Sequence, residues 1–238
     1  MYKIANALGL DESHVAQVDW GDSGVFRLHV DTIAALELLK NDAQSAGFEL
    51  AIASGFRSFD RQLAIWRAKA LGERPVLDDF ERPIDLASLT PFEKVRAIMR
   101  WSALPGGSRH HWGSDFDVYP RNLLDCGEPL LLTQAECRGA FKPFYEWLDN
   151  YLAAQQDFAR PFTDKARPVL SLGQWQVTCG VAAEPWHLSY LPVASQFEQL
   201  LTEHALTGAL RNADAPLLEE LLANWPAIYN DYIAAYFA

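Results

Sequence analysis

The chain has 238 residues, half of them hydrophobic, a length that suits one large domain with or without a helical appendage. Acidic residues outnumber basic ones by 31 to 20, and the formal net charge is -11. Proteins that bind nucleic acid gather Lys and Arg into clusters that neutralise phosphates, and this sequence has no such cluster. We therefore expect no nucleic-acid partner, and we interpret the acidic surface as one that favours solubility.

The sequence gives no sign of membrane insertion or export. It contains no run of about 18 apolar residues, so we expect no membrane span. A secretory signal needs a basic start and an unbroken apolar stretch, and Asp11 and Glu12 arrive too early for that. A cytoplasmic location is the default expectation, and a periplasmic one stays open for a mature chain whose signal was removed.

The three cysteines are Cys126, Cys137 and Cys179, an odd number without Cys-x-x-Cys spacing. We expect them to be buried free thiols. A disulfide between Cys126 and Cys137 stays open for an oxidising compartment.

Three segments in the first half of the chain predict helices. The first is amphipathic and closes at Gly47, the second is capped by Ser58, and the third opens with Thr90 as cap and Pro91 at its first position. Their expected bounds are 31–46, 59–71, and 90 to a point before 105. A short apolar run at 48–54 predicts a buried strand, and the stretch 72–88 is expected to be a loop.

The second half mixes short strands with helices. Residues 108–119, polar and then alternating, fit a loop that runs into a strand. We also expect a helix over 141–155 and strands over 174–179 and 187–191. From residue 193 onward the pattern is helical, with breaks at 212–216 and at 225–226.

Few strands, flanked by helices that do not alternate with them, predict an α+β fold. We expect one domain over residues 1–191, with its motif-bearing core at 48–191. A C-terminal helical extension over 192–238 is expected to pack on it.

Two dense polar segments hold most of the groups that could perform chemistry. The first contains His110, Asp115 and Asp117, and the second contains Glu184 and His187. Imidazole and carboxylate ligands of this kind suit zinc, whose catalytic sites use three protein ligands and leave one position open. Asp115 and Asp117 share one face of the predicted strand, because side chains alternate along a strand. In the second segment one residue could bind metal while the other acts as general base.

These segments resemble the D-alanyl-D-alanine metallopeptidases, the group that includes the vancomycin-resistance carboxypeptidases and dipeptidases. That family carries Ser-x-His-x-x-Gly-x-Ala-x-Asp, followed far downstream by Glu-x-x-His, often Glu-x-Trp-His. The residues in register here are Ser108, His110, Gly113, Asp117, Glu184, Trp186 and His187.

An upstream family element, Ser-Gly-Tyr-Arg-Ser with a Gln shortly after, resembles residues 54–58 and Gln62, and the whole resemblance covers roughly residues 48–191. Two positions depart from the pattern. Phe56 replaces the Tyr, which removes one hydroxyl. Asp115 stands where the family usually has Ala, and it could add negative charge near a metal or pair with Arg109.

The resemblance implies one zinc ion per chain, on a small antiparallel sheet flanked by helices, the zinc fold that D,D-peptidases share with hedgehog and lysostaphin-like proteins. Its implied ligands are His110, Asp117 and His187. Glu184 is implied as the catalytic base, and Arg57 as the group that stabilises the oxyanion or holds the substrate. Ser108 and Gln62 are implied to contact the peptide.

Several residues near the motifs are expected to have other roles. His111 and Trp112 lie between implied ligands and are interpreted as structural or pocket-lining. His14, His29 and His204 lie outside the motifs and are expected to do nothing catalytic.

The function implied by the resemblance is hydrolysis of the terminal D-amino acid of peptidoglycan-derived peptides. A D-Ala-D-Ala dipeptidase and an L,D-carboxypeptidase remain alternatives, since specificity depends on pocket walls and loops such as 72–88 and 126–136. A non-catalytic zinc-containing binding module is an alternative of another class. Glu184 and Arg57 argue against it, because a binding module needs neither. Oligomeric state stays open.

Overall fold

A computed structural model describes residues 2–163 and 167–237, and it has the α+β architecture that the sequence predicts. The helices of the described residues are α1 (Ile4–Ala7), α2 (Val30–Ser45), α3 (Phe59–Ala70), α4 (Pro91–Met99), α5 (Gln134–Arg138), α6 (Lys142–Ala154), α7 (Leu191–Glu198), α8 (Glu203–Asn212), α9 (Leu218–Ala223) and α10 (Trp225–Tyr232). The strands are β1 (Val15–Asp19), β2 (Val25–His29), β3 (Leu50–Ser54), β4 (Asp115–Pro120), β5 (Phe158–Ala159), β6 (Val169–Leu172), β7 (Trp175–Thr178) and β8 (His187–Tyr190).

The helices predicted in the first half of the chain are present as α2, α3 and α4. A capping residue marks the start of each one. The Ser58 hydroxyl accepts the N–H of Arg61 at 3.2 Å, and Thr90 forms a capping box with the fourth helix. The helix α2 begins one residue earlier than expected, at Val30, because the ring of His29 accepts the N–H of Asp31 at 3.1 Å. Each cap fixes where its helix enters the core.

Several short elements escaped the sequence analysis. These are the β1–β2 hairpin, α1, α5, β5 and β6. Pairing with a neighbouring strand stabilises the short strands among them more than intrinsic propensity does. The helix α5 has a capping box of Thr133 and Glu136, a signal that was present in the sequence. The strand expected over 187–191 ends at Tyr190, because Pro192 lies in the first turn of α7.

Two further expectations concern cysteines and membranes. All three cysteines are free, and Cys137 and Cys179 are buried as expected. The expectation of burial was wrong for Cys126, which is exposed in the loop before α5. Among the described helices, none is long and apolar enough to cross a bilayer.

The central feature is a four-stranded antiparallel sheet with the strand order β3-β4-β8-β5. Phe116, Val118 and Leu188 lie in a core cluster shared with α2 and α6. Side chains alternate along strands, so Asp117 and His187 point to the opposite face. One face of the sheet therefore packs against the helices, and the other face carries Asp117 and His187.

A second core cluster joins the C-terminal helices to the rest of the chain. Leu206, Leu210, Leu221 and Ile228 are fully buried in it, together with Trp66 of α3 and residues of α4. The helices after residue 191 therefore share a continuous apolar interior with the motif-bearing part. The division into 1–191 and an extension remains our proposal.

Gly113 ends the 3₁₀ turn Arg109–Trp112 and precedes β4, in a conformation that glycine alone adopts without cost. Its φ is +67°, and a Cβ placed on it would lie 2.6 Å from the backbone nitrogen of His29. We expect Gly113→Ala to lower the free energy of unfolding by about 2–5 kcal/mol, from backbone strain plus steric conflict. Urea unfolding measures the loss.

Gly47→Ala is the matched control for that experiment. Gly47 also has a positive φ, +90°, but nothing lies within 4 Å of the position that a Cβ would take there. It should show only the strain, about 1 kcal/mol. Equal losses in the two variants would contradict the role of close backbone contact at Gly113.

Candidate metal centre

Strand pairing brings two of the implied ligands together. Asp117 in β4 is the direct cross-strand partner of His187 in β8, and Ser54 in β3 flanks Asp117 on its other side. His110 lies in the 3₁₀ turn that precedes β4 and reaches the same point. All three implied ligands are buried. The sheet therefore gathers residues that are far apart in the sequence.

The three side chains fit a zinc ion in chemistry and spacing. One ligand atom from each of His110, Asp117 and His187 can be chosen so that all lie within 4.8 Å of one another. His110 Nε2 is 3.4 Å from Asp117 Oδ2, and His187 Nδ1 is 3.1 Å from Asp117 Oδ1. Two imidazole nitrogens and one carboxylate oxygen form a three-ligand set of the catalytic type, which leaves a fourth position for substrate or water.

The ring of His110 is held in the orientation that a ligand needs. Its Nδ1 lies 2.9 Å from the carbonyl oxygen of Gly55, to which it donates, so Nε2 is left with a lone pair toward Asp117. Burial lowers the pKa of His110 to about 4, against the opposing charge of Asp117. The imidazole is therefore neutral at physiological pH, the form that binds metal.

Asp115, which departs from the family pattern, contacts the ring nitrogen of His187 that does not face Asp117. Its Oδ1 lies 3.2 Å from His187 Nε2 and accepts a 2.7 Å hydrogen bond from Arg109 Nε. The Ser114 hydroxyl donates to its other oxygen at 2.7 Å. Both interpretations of this residue apply, because it pairs with Arg109 and also places negative charge beside the candidate metal centre.

The electrostatics of this group follow from burial and pairing. Burial disfavours an ionised Asp115, yet Arg109 and His187 lower its pKa to about 2. Burial also disfavours the imidazolium of His187, but its hydrogen bonds to Asp115 and Asp117 raise its pKa to about 9. The carboxylates thus orient the His187 ring, which carries two protons at neutral pH in the absence of metal and releases one of them when it binds a metal ion.

Glu184 lies next to the three ligands without belonging to them. Its Oε2 is 3.6 Å from His187 Nδ1, and its backbone N–H donates to the carbonyl of Phe162 at 3.1 Å. Burial raises the pKa of Glu184 to about 7, although the positive charge of His187 acts to lower it. A carboxyl group with such a pKa can both accept and return a proton near neutral pH.

Arg57 is positioned by two neutral partners. Its Nη1 donates to Gln62 Oε1 at 2.8 Å, and its Nη2 donates to the Ser54 hydroxyl at 3.2 Å. Gln62 is fully buried, and its amide nitrogen donates to the carbonyl of Ala103 at 2.6 Å. Both ends of that amide are used inside the protein, so the structure does not place Gln62 where it could contact a peptide. It supports Arg57 instead.

We expect Arg57→Lys to reduce turnover nearly as much as Arg57→Ala, by about 100-fold or more. A Lys keeps the charge but cannot hold Gln62 and Ser54 with one planar fork while facing a substrate oxygen. Steady-state kinetics on both variants measures the effect. Arg61→Lys is the control: Arg61 is exposed in the first turn of α3, and the change should leave turnover unchanged. High activity in Arg57→Lys would mean that Arg57 acts only as a distant charge.

A cavity of about 320 Å³ opens at the candidate metal centre. Its wall includes Arg57, Ser108 and Glu184 beside the three ligands, so every implied site residue except Gln62 lines it. Ser108 is buried at the start of the 3₁₀ turn. The cavity thus collects a ligand set, a base and a cation around one space.

The two segments that were linked to specificity both reach this cavity. Leu77 and Glu81 come from one, and Leu131, Leu132 and Thr133 come from the other. They are joined, since the N–H of residue 134 donates to the Glu81 carboxylate at 2.9 Å. The walls of the cavity therefore contain the loops in which peptide selectivity is expected.

The remaining histidines of the sequence behave as structural groups or lie elsewhere. His111 is buried, its Nδ1 lies 2.6 Å from the Arg57 carbonyl, and its Nε2 accepts the N–H of Gly106 at 3.0 Å. Trp112 is buried in the second core cluster. His14 and His29 are buried away from the cavity lining, and His204 is exposed.

The sequence analysis missed Lys69 and the C-terminal segment, both of which line the cavity. Lys69 lies seven residues after Gln62 on α3, on the same face as buried Trp66, and that helical spacing was the available signal. The C-terminal contribution comes from Tyr232, Ile233, Tyr236 and Phe237. No local sequence pattern predicts that these residues line the cavity, because their position depends on how helices distant in the sequence pack together.

Two uncharacterized proteins of Haemophilus influenzae match: one is 38% identical over 96 residues, covering 40% of this chain and 66% of that protein. The other is 31% identical over 131 residues, covering 55% of this chain and 92% of that protein.

Solved structures with a related arrangement have low sequence identity. A mutant of the vancomycin-resistance D,D-pentapeptidase VanY from a VanB-type cassette, in complex with Zn(II), is 21% identical with a TM-score of 0.47, covering 87% of this chain and 88% of that one. The LD-carboxypeptidase LdcB is also 21% identical, with a TM-score of 0.45, covering 82% of this chain and 69% of that one.

A family model matches most of the sequence. The model for VanY, D-alanyl-D-alanine carboxypeptidase, matches residues 26–193, which include every motif residue named above. Because this match extends over well more than half of the sequence, the chain belongs to the VanY family of D-alanyl-D-alanine carboxypeptidases.

Proposed function

We propose that this protein is a zinc-dependent D-alanyl-D-alanine carboxypeptidase, which releases the terminal D-amino acid from peptidoglycan-derived peptides. The observation that carries the proposal is the meeting of a two-histidine, one-carboxylate ligand set with Glu184 and Arg57 at one cavity. The family membership of the chain supports the same chemistry.

The three ligands His110, Asp117 and His187 would hold the zinc ion. When bound, zinc polarises the scissile carbonyl and makes a water at the site more acidic. Glu184, 3.6 Å from His187 Nδ1, is placed to accept the proton of the attacking water. As the C–N bond breaks, Glu184 returns that proton to the amine of the departing residue, and the shortened peptide keeps a new carboxylate.

Arg57 is suited to the oxygen of the scissile carbonyl. Its guanidinium is permanently charged, partly buried and held by neutral partners rather than by a carboxylate. A cation without a fixed counterion can stabilise negative charge that develops on the substrate. Its proposed task is therefore to bind the carbonyl oxygen as that oxygen becomes negative.

The proposal is tested by incubating the zinc-loaded protein with cell-wall tetrapeptides, pentapeptides and free D-Ala-D-Ala, with products identified by mass spectrometry. We expect a single D-Ala to leave the pentapeptide. Cleavage of the free dipeptide alone would indicate a dipeptidase, and trimming of the tetrapeptide would indicate an L,D-carboxypeptidase. A zinc-loaded protein that cleaves none of them would support the binding-module alternative.

A further inference from the structure

Among the described residues, two cations of the cavity lining form no ion pair with a carboxylate. Its positively charged lining residues are Arg57, Lys69 and Arg109. Arg109 is paired with Asp115 and Glu198, each through a contact of 2.7 Å. In the part of the chain that the structure describes, neither Arg57 nor Lys69 has a carboxylate oxygen within 4.0 Å, and their hydrogen-bond partners are neutral. The mechanism above uses Arg57 and leaves Lys69 without a task.

Lys69 and Arg57 belong to one continuous wall of the cavity. Gln62 connects Arg57 to the carbonyl of Ala103, through contacts of 2.8 and 2.6 Å. The preceding residue, Ser102, accepts a 2.5 Å hydrogen bond from the ammonium of Lys69. Both Ser102 and Lys69 line the cavity. The wall thus presents two separate positive groups to whatever occupies the space.

A partly buried ammonium without a direct ion pair is costly, and the cost indicates that an anionic ligand is missing. Burial lowers the pKa of Lys69 to about 8, and the charges of Arg74 and Arg57 act in the same direction, so that the opposing charge of Glu184 only partly offsets the lost hydration. The group is still protonated at neutral pH, so it presents a poorly solvated positive charge to the cavity. An anionic ligand would compensate that lost hydration. The hydroxyl of Ser102 accepts from Lys69 and keeps its own hydrogen for such a ligand.

We propose that Lys69, together with Ser102, binds the free α-carboxylate of the residue that is released. This inference rests on the proposed function and assigns the group that distinguishes a chain end from the interior of a peptide. In an interior peptide the same position holds a neutral amide, which leaves the ammonium unpaired. Arg57 remains free for the scissile carbonyl, so the two cations have separate tasks.

The test compares a peptide ending in D-Ala-D-Ala as the free acid with the same peptide as its C-terminal carboxamide. The zinc-loaded wild-type protein should prefer the acid by about 30- to 1000-fold in kcat/KM, the scale of a desolvated charge contact. Lys69→Met should lose most of that preference, mainly through a higher KM for the acid, while the slow turnover of the amide changes less than about threefold. Turnover of the acid that is unchanged in Lys69→Met would overturn the proposal.

Matched variants separate charge recognition from damage to the protein. Lys142→Met makes the same substitution at an exposed residue outside the cavity lining and should retain the full preference for the acid. Ser102→Ala should lose part of it. If Lys69→Met does not fold, Ser102→Ala takes its place: an unchanged preference for the acid in Ser102→Ala, or equal turnover of acid and amide by the wild-type protein, contradicts the proposed site.

Binding measurements distinguish failure of this inference from failure of the proposed function. Calorimetry in the Glu184→Gln background compares acid and amide binding with and without Lys69→Met. If the wild-type protein cleaves neither peptide, the proposed function fails, whereas a preference for binding the acid that depends on Lys69 still supports the carboxylate site. Acid and amide that bind equally tightly would overturn the inference by itself.

Discussion

Glu184→Gln should lower peptide turnover by about 100-fold or more while the protein keeps its zinc. The substitution preserves the size of the side chain but removes the group that accepts a proton. Glu184 is not one of the three clustered ligand residues, so His110, Asp117 and His187 remain to bind the metal. Zinc content, peptide affinity and rate are measured on one preparation.

The control for this experiment is Glu81→Gln, which changes another carboxylate of the cavity lining. Glu81 accepts a hydrogen bond from the backbone N–H of residue 134, and a Gln oxygen can do the same. Its turnover should stay within a few-fold of wild type. Loss of zinc in Glu184→Gln would make Glu184 a ligand, and unchanged turnover would remove it from the mechanism.

His187→Ala should abolish stable zinc binding, with a loss of affinity greater than about 100-fold. Changes to residues that only support a ligand already cost 10- to 100-fold, and this change removes a ligand outright. It also leaves the buried carboxylates of Asp115 and Asp117 without their shared imidazole partner. Metal analysis after dialysis reports the loss. The rise in melting temperature that we expect zinc to produce in the wild-type protein should also disappear.

His204→Ala is the matched control, because His204 is an exposed histidine outside the cavity. It should bind one zinc ion per chain and show the full thermal response. A His187→Ala protein that still binds one equivalent of zinc would show that the ligand set is wrong.

The sequence predicts the parts of the site that depend on local order. Asp115 and Asp117 share a face because a strand has a period of two, and caps such as Ser58 and Thr90 locate helix starts. The pairing of Asp117 with His187, 70 residues later, follows from no local spacing. The resemblance to a known family supplied that connection.

Other features could not be predicted because they depend on packing partners. Gln62 matches a motif position, yet its amide is used on both sides by Arg57 and Ala103. The role of Asp115 could not be predicted from the sequence, because it depends on contacts with both Arg109 and His187. Spacing along one helix face could have drawn attention to Lys69, but only the folded chain shows that it meets a cavity.

Arg109 joins parts of the chain that are synthesised at very different times. Besides Asp115, its guanidinium binds the Ser189 hydroxyl, the carboxylate of Glu198 and the backbone carbonyl of Tyr236. On the ribosome, β4 emerges more than a hundred residues before that last partner. The support behind His187 is therefore completed only after the final helices have been translated and have packed. We therefore expect zinc to bind most tightly to the fully folded chain, because only then is the carboxylate that supports His187 itself held in place.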